Sequence, residues 1–97
     1  MDLGLRGKVA LVGGASSGLG RAIAEELAAE GCDVALVARG AERLHAVAEE
    51  LQQRFGGRAI ALVADLAQPG APAACVERAA QELGRIDIVV ANAGGPP

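Results

Sequence analysis

The sequence predicts an α/β domain built on a parallel sheet. Three observations carry that expectation. Short apolar runs alternate with stretches of helical periodicity along the whole chain. The runs are apolar throughout rather than at every second residue, the mark of strands buried on both faces. Glycine, or a proline–glycine turn, punctuates most junctions between them.

The elements follow in order. Lys8–Val12 opens the series as a short apolar strand. From Gly18 to Glu30, Leu19, Ala22, Ile23 and Leu27 fall at helical spacing, and Glu25, Glu26 and Glu30 take the other face. Gly31 stands where a left-handed residue ends a helix. Asp33–Ala38 (DVALVA) is the second strand. Ala41–Arg54 is the second helix, with Leu44, Val47, Ala48 and Leu51 as its apolar stripe, and Gly56-Gly57 stops it. Arg58–Ala64 (RAIALVA) is the third strand. Pro69, Gly70 and Pro72 mark a turn, and a helix over Ala73–Leu83 turns Val76, Ala79, Ala80 and Leu83 inward. Gly84 ends it, and Ile86–Ala91 (IDIVVA) is the fourth strand. Strands joined by helices run parallel, with right-handed crossovers. Periodicity alone leaves flavodoxin-like and Rossmann-like windings equally open.

Composition narrows the function classes. The chain has 97 residues, room for one domain. Half of it is hydrophobic (52%), too apolar for a disordered chain. The net charge is −3 and the basic residues are scattered, which argues against nucleic acid or an anionic membrane surface as partner. Cys32 and Cys75 sit in different segments without metal-ligand spacing and read as reduced core thiols, so no metal site is expected. Asp2, Arg6 and Lys8 interrupt any signal-peptide core, and no apolar run is long enough for a membrane span. A cytoplasmic location is the expectation. There is no tyrosine, Lys8 is the single lysine, and His45 lies in a charged helical stretch. A mechanism needing a Tyr acid, a Lys beside it or a His base finds no residues within this chain.

The junction after the first strand carries the chemistry. VALVGGASSGLGRAI, residues 9–23, places four glycines between a strand and a helix. Such a turn aims backbone N–H groups and the positive end of the helix at one spot, where phosphate binds if side chains leave room. Gly14 permits the sharp turn, Gly18 the approach of a diphosphate, and Gly20 close packing of helix on sheet. Ser16 and Ser17 add hydroxyl donors. The spacing Gly14-x-x-x-Gly18-x-Gly20 is neither G-x-G-x-x-G nor a P-loop, since no Gly-Lys-Ser/Thr follows.

GGASSGLG resembles the T-G-x-x-x-G-x-G cofactor motif of the short-chain dehydrogenase/reductase family, with Gly13 in place of Thr. Three further stretches match in order. Leu5-x-Gly7-Lys8-Val9-Ala10-Leu11-Val12 is similar to the family's approach to its first strand. Ala64-Asp65-Leu66 falls where the family carries an Asp and an aliphatic residue beside the adenine ring. Ala91-Asn92-Ala93-Gly94 resembles its N-N-A-G motif, with Ala91 replacing the first Asn. The resemblance implies a Rossmann-type three-layer α/β fold, four parallel strands in the order 3-2-1-4 with helices on both faces. The ligand crevice then lies between the first and fourth strands. It also implies a cofactor site formed by Gly14, Ser16, Ser17, Gly18, Leu19, Gly20, Arg39, Asp65, Leu66, Asn92, Ala93 and Gly94.

The end of the second strand selects the cofactor. An acid there would accept hydrogen bonds from the ribose 2′-OH of NAD. The sequence has Ala38 followed by Arg39, and a guanidinium forks onto a phosphate. NADP(H) is therefore expected over NAD(H). Ala38 also argues against an S-adenosylmethionine enzyme, which needs an acid to grip the ribose. The family's carbonyl chemistry uses Ser, Tyr, Lys and a later Asn, none of which can be assigned here. The expectation is thus a single partial domain over residues 1–97, truncated before the later strands, inactive alone and without catalytic residues of its own. Its fourth strand would present an apolar edge, a hazard unless a second copy or a complementing chain covers it. The rival expectation is a non-catalytic NADP(H)-binding module or a subunit completed by a partner.

Overall fold

The apolar runs become strands and the periodic stretches helices. The computed structural model describes residues 4–91. Its elements are β1 (Val9–Gly13), α1 (Gly18–Ala29), β2 (Asp33–Ala38), α2 (Ala41–Phe55), β3 (Ala59–Val63), α3 (Ala71–Leu83) and β4 (Ile88–Val90). The strands form one parallel sheet in the order β3-β2-β1-β4, as the family resemblance implied.

The order explains the layers. Two right-handed crossovers carry the chain outward from β1 through β2 to β3 and leave α1 and α2 on one face. The return from β3 across to β4 places α3 on the other. Ala10, Val12, Val34 and Leu36 pack under α1 and α2 with Ala24, Ala28, Leu44, Val47 and Leu51. Val9, Leu11, Ala35 and Val37 pack with Leu62 and with Cys75, Ala79 and Leu83 of α3. Every residue of β1 is buried, which is why that run contains no polar side chain.

Several boundaries and faces differ from expectation. The buried row of α1 is Gly20, Ala24 and Ala28, while Ile23 and Leu27 are half-buried and Ala22 is exposed. Leu19 is 70% exposed at the first turn. Small residues on the inner face let the helix lie close to the sheet, which a stripe of leucines would prevent. Helix α3 begins at Ala71, two residues early, because Pro72 occupies a first-turn position whose N–H has no helical acceptor anyway. Its inner row is Cys75, Ala79 and Leu83, and Val76 faces outward at 36% exposure. Strand β3 is an edge, so Val63 is half exposed rather than buried on both faces.

Strand β4 spans Ile88–Val90 rather than Ile86–Ala91. Asp87 explains its late start. The Asp87 amide donates to the Val9 carbonyl at 2.8 Å, but the Val9 amide donates to the Asp87 side chain at 2.8 Å, so a carboxylate replaces a strand carbonyl as acceptor. Arg85 Nε donates to the same carboxylate oxygen at 2.8 Å, and its NH2 group donates to the Gly7 carbonyl at 3.0 Å. Val89 stands in register with Leu11 on the α3 side of the sheet and is 55% exposed.

This clamp has a pH signature. The Val9 amide, then Arg85 and Lys8, hold the Asp87 carboxyl below its ordinary value of 3.8, against a smaller opposing effect of burial. A carboxylate with a depressed folded pKa stabilises the fold above its unfolded pKa, and that contribution is lost as pH falls through the folded value. Asp87→Asn is therefore expected to melt below the parent by a constant margin at neutral and mildly acidic pH, and the gap should close below about pH 4. Thermal scans of both proteins across that range check it; a gap that persists unchanged in acid would contradict it.

Both cysteines are buried and unpaired. Burial raises the Cys32 thiol, helped by Asp33, Asp87 and Glu30, and burial raises Cys75 against the pull of Arg78. Both are protonated core fillers at neutral pH, in keeping with the sequence reading. His45 is exposed on α2. No group of His, Cys, Asp or Glu able to hold a metal occurs among the described residues, and none of their helices is long and apolar enough to cross a membrane.

Candidate functional site

The carboxyl ends of β1, β2 and β3 lie side by side, with Gly13 opposite Val37 and Ala38 opposite Val63. Everything that leaves this rim does so in a few residues. From β1 the chain turns through Gly14 at φ 61° and reaches α1 through Gly18 at φ 59°, both in the left-handed region that side chains disfavour. Between them Ala15 is fully buried, and its amide donates to the Val37 carbonyl at 3.0 Å. That bond folds the turn toward the end of β2, one residue from Ala38 and two from Arg39.

Ser17 is the N-cap of α1, in extended backbone (φ −160°, ψ 167°), yet its side chain makes no capping hydrogen bond. The first-turn amides of a helix have no partner within the helix, so those of α1 remain without a side-chain cap. The first turn of α1 also contains no acid to neutralise the helix's positive end, whereas that of α2 carries Glu42. Ser16 is half-buried beside this turn, Gly18 and Leu19 are exposed, and Gly20 is buried. Helix α3 likewise has no acid in its first turn and no side-chain cap.

Ala38 is buried at the end of β2 and its carbonyl accepts the Ala64 amide at 3.0 Å, fixing the β2 and β3 ends together. Arg39 and Gly40 are the whole connection to α2, and Arg39 is exposed. Arg21, Arg54, Arg58, Arg78 and Arg85 each pair with a carboxylate, but none of the ion pairs among the described residues involves Arg39. A free guanidinium thus stands at the strand end where no acid is present.

Asp65 has a local job. Its Oδ1 accepts the Ala67 amide at 2.9 Å, and its carbonyl accepts the Gln68 amide at 3.0 Å. The carboxylate therefore shapes the turn into α3, a role compatible with a ligand contact through its other oxygen. Leu66 is half-buried against the core under α3. Asn92, Ala93 and Gly94 lie outside the described residues.

The structure brings Gly14, Ser16, Ser17, Gly18, Leu19 and Gly20 into one turn, and the Ala15 bond sets that turn against the strand leading to Arg39. Sequence reasoning missed that tether, which joins two main-chain groups and leaves no residue signature. It also missed the small inner row of α1, which was readable: Gly20, Ala24 and Ala28 repeat at four-residue spacing.

A parallel sheet in this order, with an open amide turn at the first crossover, defines a Rossmann-type α/β domain. The chain belongs to the short-chain dehydrogenase family, whose sequence model matches residues 8–97. It is similar to the L-sorbose reductase of Gluconobacter frateurii, solved in complex with NADPH and L-sorbose, at 45% identity and a TM-score of 0.93 over 100% of this chain and 37% of that one. It is similar too to an alcohol dehydrogenase from Thermococcus sibiricus complexed with 5-hydroxy-NADP, at 39% identity and a TM-score of 0.84, over 90% of this chain and 37% of that one. Among curated relatives, the 3-oxoacyl-acyl-carrier-protein reductase of Aquifex aeolicus is 39% identical over 97% of this chain and 38% of its own length. The chain spans about a third of the length of the curated relatives it matches.

Proposed function

We propose that this chain is the NADP(H)-binding portion of a short-chain dehydrogenase, with hydride exchanged between nicotinamide and a carbonyl or alcohol carbon. One observation carries the cofactor choice: buried Ala38 leaves no carboxylate for a ribose 2′-OH, and unpaired Arg39 follows it at the rim. A 2′-phosphate suits that pair, and a free hydroxyl does not. The amides of the Gly14–Gly20 turn and the hydroxyls of Ser16 and Ser17 would hold the diphosphate. Leu19, exposed at the rim, would offer apolar surface to the nucleotide. Asp65 and Leu66 would flank the adenine, and Asn92, Ala93 and Gly94 would join the site by their resemblance to the family's motif. The NADPH and 5-hydroxy-NADP complexes of the two similar structures support the phosphorylated cofactor.

The chain contains no tyrosine, and Lys8 precedes β1 at the opposite end of the sheet from the rim. In this reading, proton transfer to a carbonyl oxygen is the work of residues outside these 97, in the same polypeptide or in a partner chain. Calorimetric titration of the folded chain tests the reading. NADPH is expected to saturate one site, with NADH weaker by at least about tenfold. Equal affinities would remove the assigned role of Arg39.

A further inference from the structure

Four charges join α1 to α2 in a closed ring. Arg21 Nε lies 3.2 Å from Glu25 on its own helix, and its NH2 group 2.8 Å from Glu50 on α2. Arg54 Nη1 lies 3.1 Å from Glu50 on its own helix and 3.8 Å from Glu25 on α1. The Arg54 guanidinium also stacks 4.8 Å from the centre of the Phe55 ring, which restrains it. Each charge therefore meets two of opposite sign, and the ring as a whole is neutral. It sends no net field to a distant phosphate, so any influence it has on the site is geometric.

The two helices it joins are those that head the site. Helix α1 starts at the glycine turn, and α2 starts directly after Arg39 and Gly40. Both rest on the same face of the sheet. The inner row of α1 is Gly20, Ala24 and Ala28, shallow side chains that resist rolling or sliding less than interlocking leucines would. The bond that closes the first turn of α1, from the Arg21 amide to the Ser17 carbonyl, is long at 3.4 Å. The residue that closes this turn loosely through its backbone is the one whose side chain reaches across to α2.

We propose that Arg21, Glu25, Glu50 and Arg54 form a positioning device that sets the start of α2, and with it Arg39, against the amide turn at the start of α1, and so favours the phosphorylated dinucleotide. The selectivity half of this rests on the function proposed above. Arg21 and Glu50 are positioning residues with no contact to the nucleotide.

The test compares Arg21→Met, Glu50→Gln and the full inversion R21E/E25R/E50R/R54E with the parent chain. Two quantities are read: affinities for NADPH and NADH, and amide hydrogen exchange without nucleotide. Exposed ion pairs are individually weak, so each single variant is expected to weaken NADPH by about threefold and NADH by clearly less. Exchange is expected to quicken about threefold at the amides of residues 21 and 44, whose bonds to the Ser17 and Gly40 carbonyls close the first turns of the two helices. The inversion restores both, because it keeps every pairing. If Arg21 touched phosphate directly, the inversion would leave NADPH weak, and that result overturns the proposal. Unchanged exchange in Arg21→Met also overturns it. A parent chain that binds neither nucleotide ends the functional reading and the selectivity half, while quickened exchange in Arg21→Met would still uphold the ring as what sets the two helix starts.

Discussion

Arg39→Ala is expected to weaken NADPH binding by about ten- to a hundredfold and to leave NADH nearly unchanged. The magnitude is that of hydrogen bonds to a charged group, about 1.5–3 kcal/mol, converted to affinity. The selectivity follows from placement. Arg39 is exposed at the end of β2, and Ala38 before it has nothing to offer a 2′-OH. Removing the guanidinium therefore takes away a phosphate partner and no ribose partner. Fold stability should not move, because Arg39 has no ion pair among the described residues to lose. Paired titrations with both nucleotides check it; parallel losses for the two would place Arg39 away from the 2′ position.

Gly18→Ala should act differently, weakening both nucleotides together by more than about tenfold. Gly18 sits at φ 59°, where a Cβ costs about 1–2 kcal/mol of conformational strain. A Cβ built there meets no protein atom within 4 Å, so the strain is not compounded by a clash inside the fold. The methyl instead projects into open space, which the proposed function assigns to the diphosphate. Melting should fall by the strain alone, while affinity falls by strain and obstruction together. Calorimetry with thermal unfolding separates the two, and a variant that binds as the parent does would show that the turn does not hold the diphosphate.

Much of this was legible because the determining signals are local. Leu44, Val47, Ala48 and Leu51 repeat at helical spacing, and all four are buried on α2 as their pattern requires. The glycines announce the turn because few other residues take φ near 60° readily, and the Ala38-Arg39 pair favoured the phosphorylated cofactor because no acid stands there to meet a ribose 2′-OH. What escaped depends on tertiary partners. Asp87 shortens β4 because its carboxylate displaces a strand carbonyl at Val9, 78 positions away in sequence. Val76 was assigned inward, but the position of α3 over β1 and β2 turned Cys75 inward instead. Nothing in the sequence singled out Arg21, because its partner Glu50 lies 29 positions on.

The most direct measurement is the amide NMR spectrum of the labelled chain as NADPH is added. The account predicts that the resonances of Gly14, Ser16, Ser17, Gly18, Leu19 and Gly20 move together with Arg39, while those at the amino ends of the strands, Val9 and Asp33 among them, stay in place. Saturable NADPH binding that shifts residues elsewhere and leaves the glycine turn unmoved would contradict it.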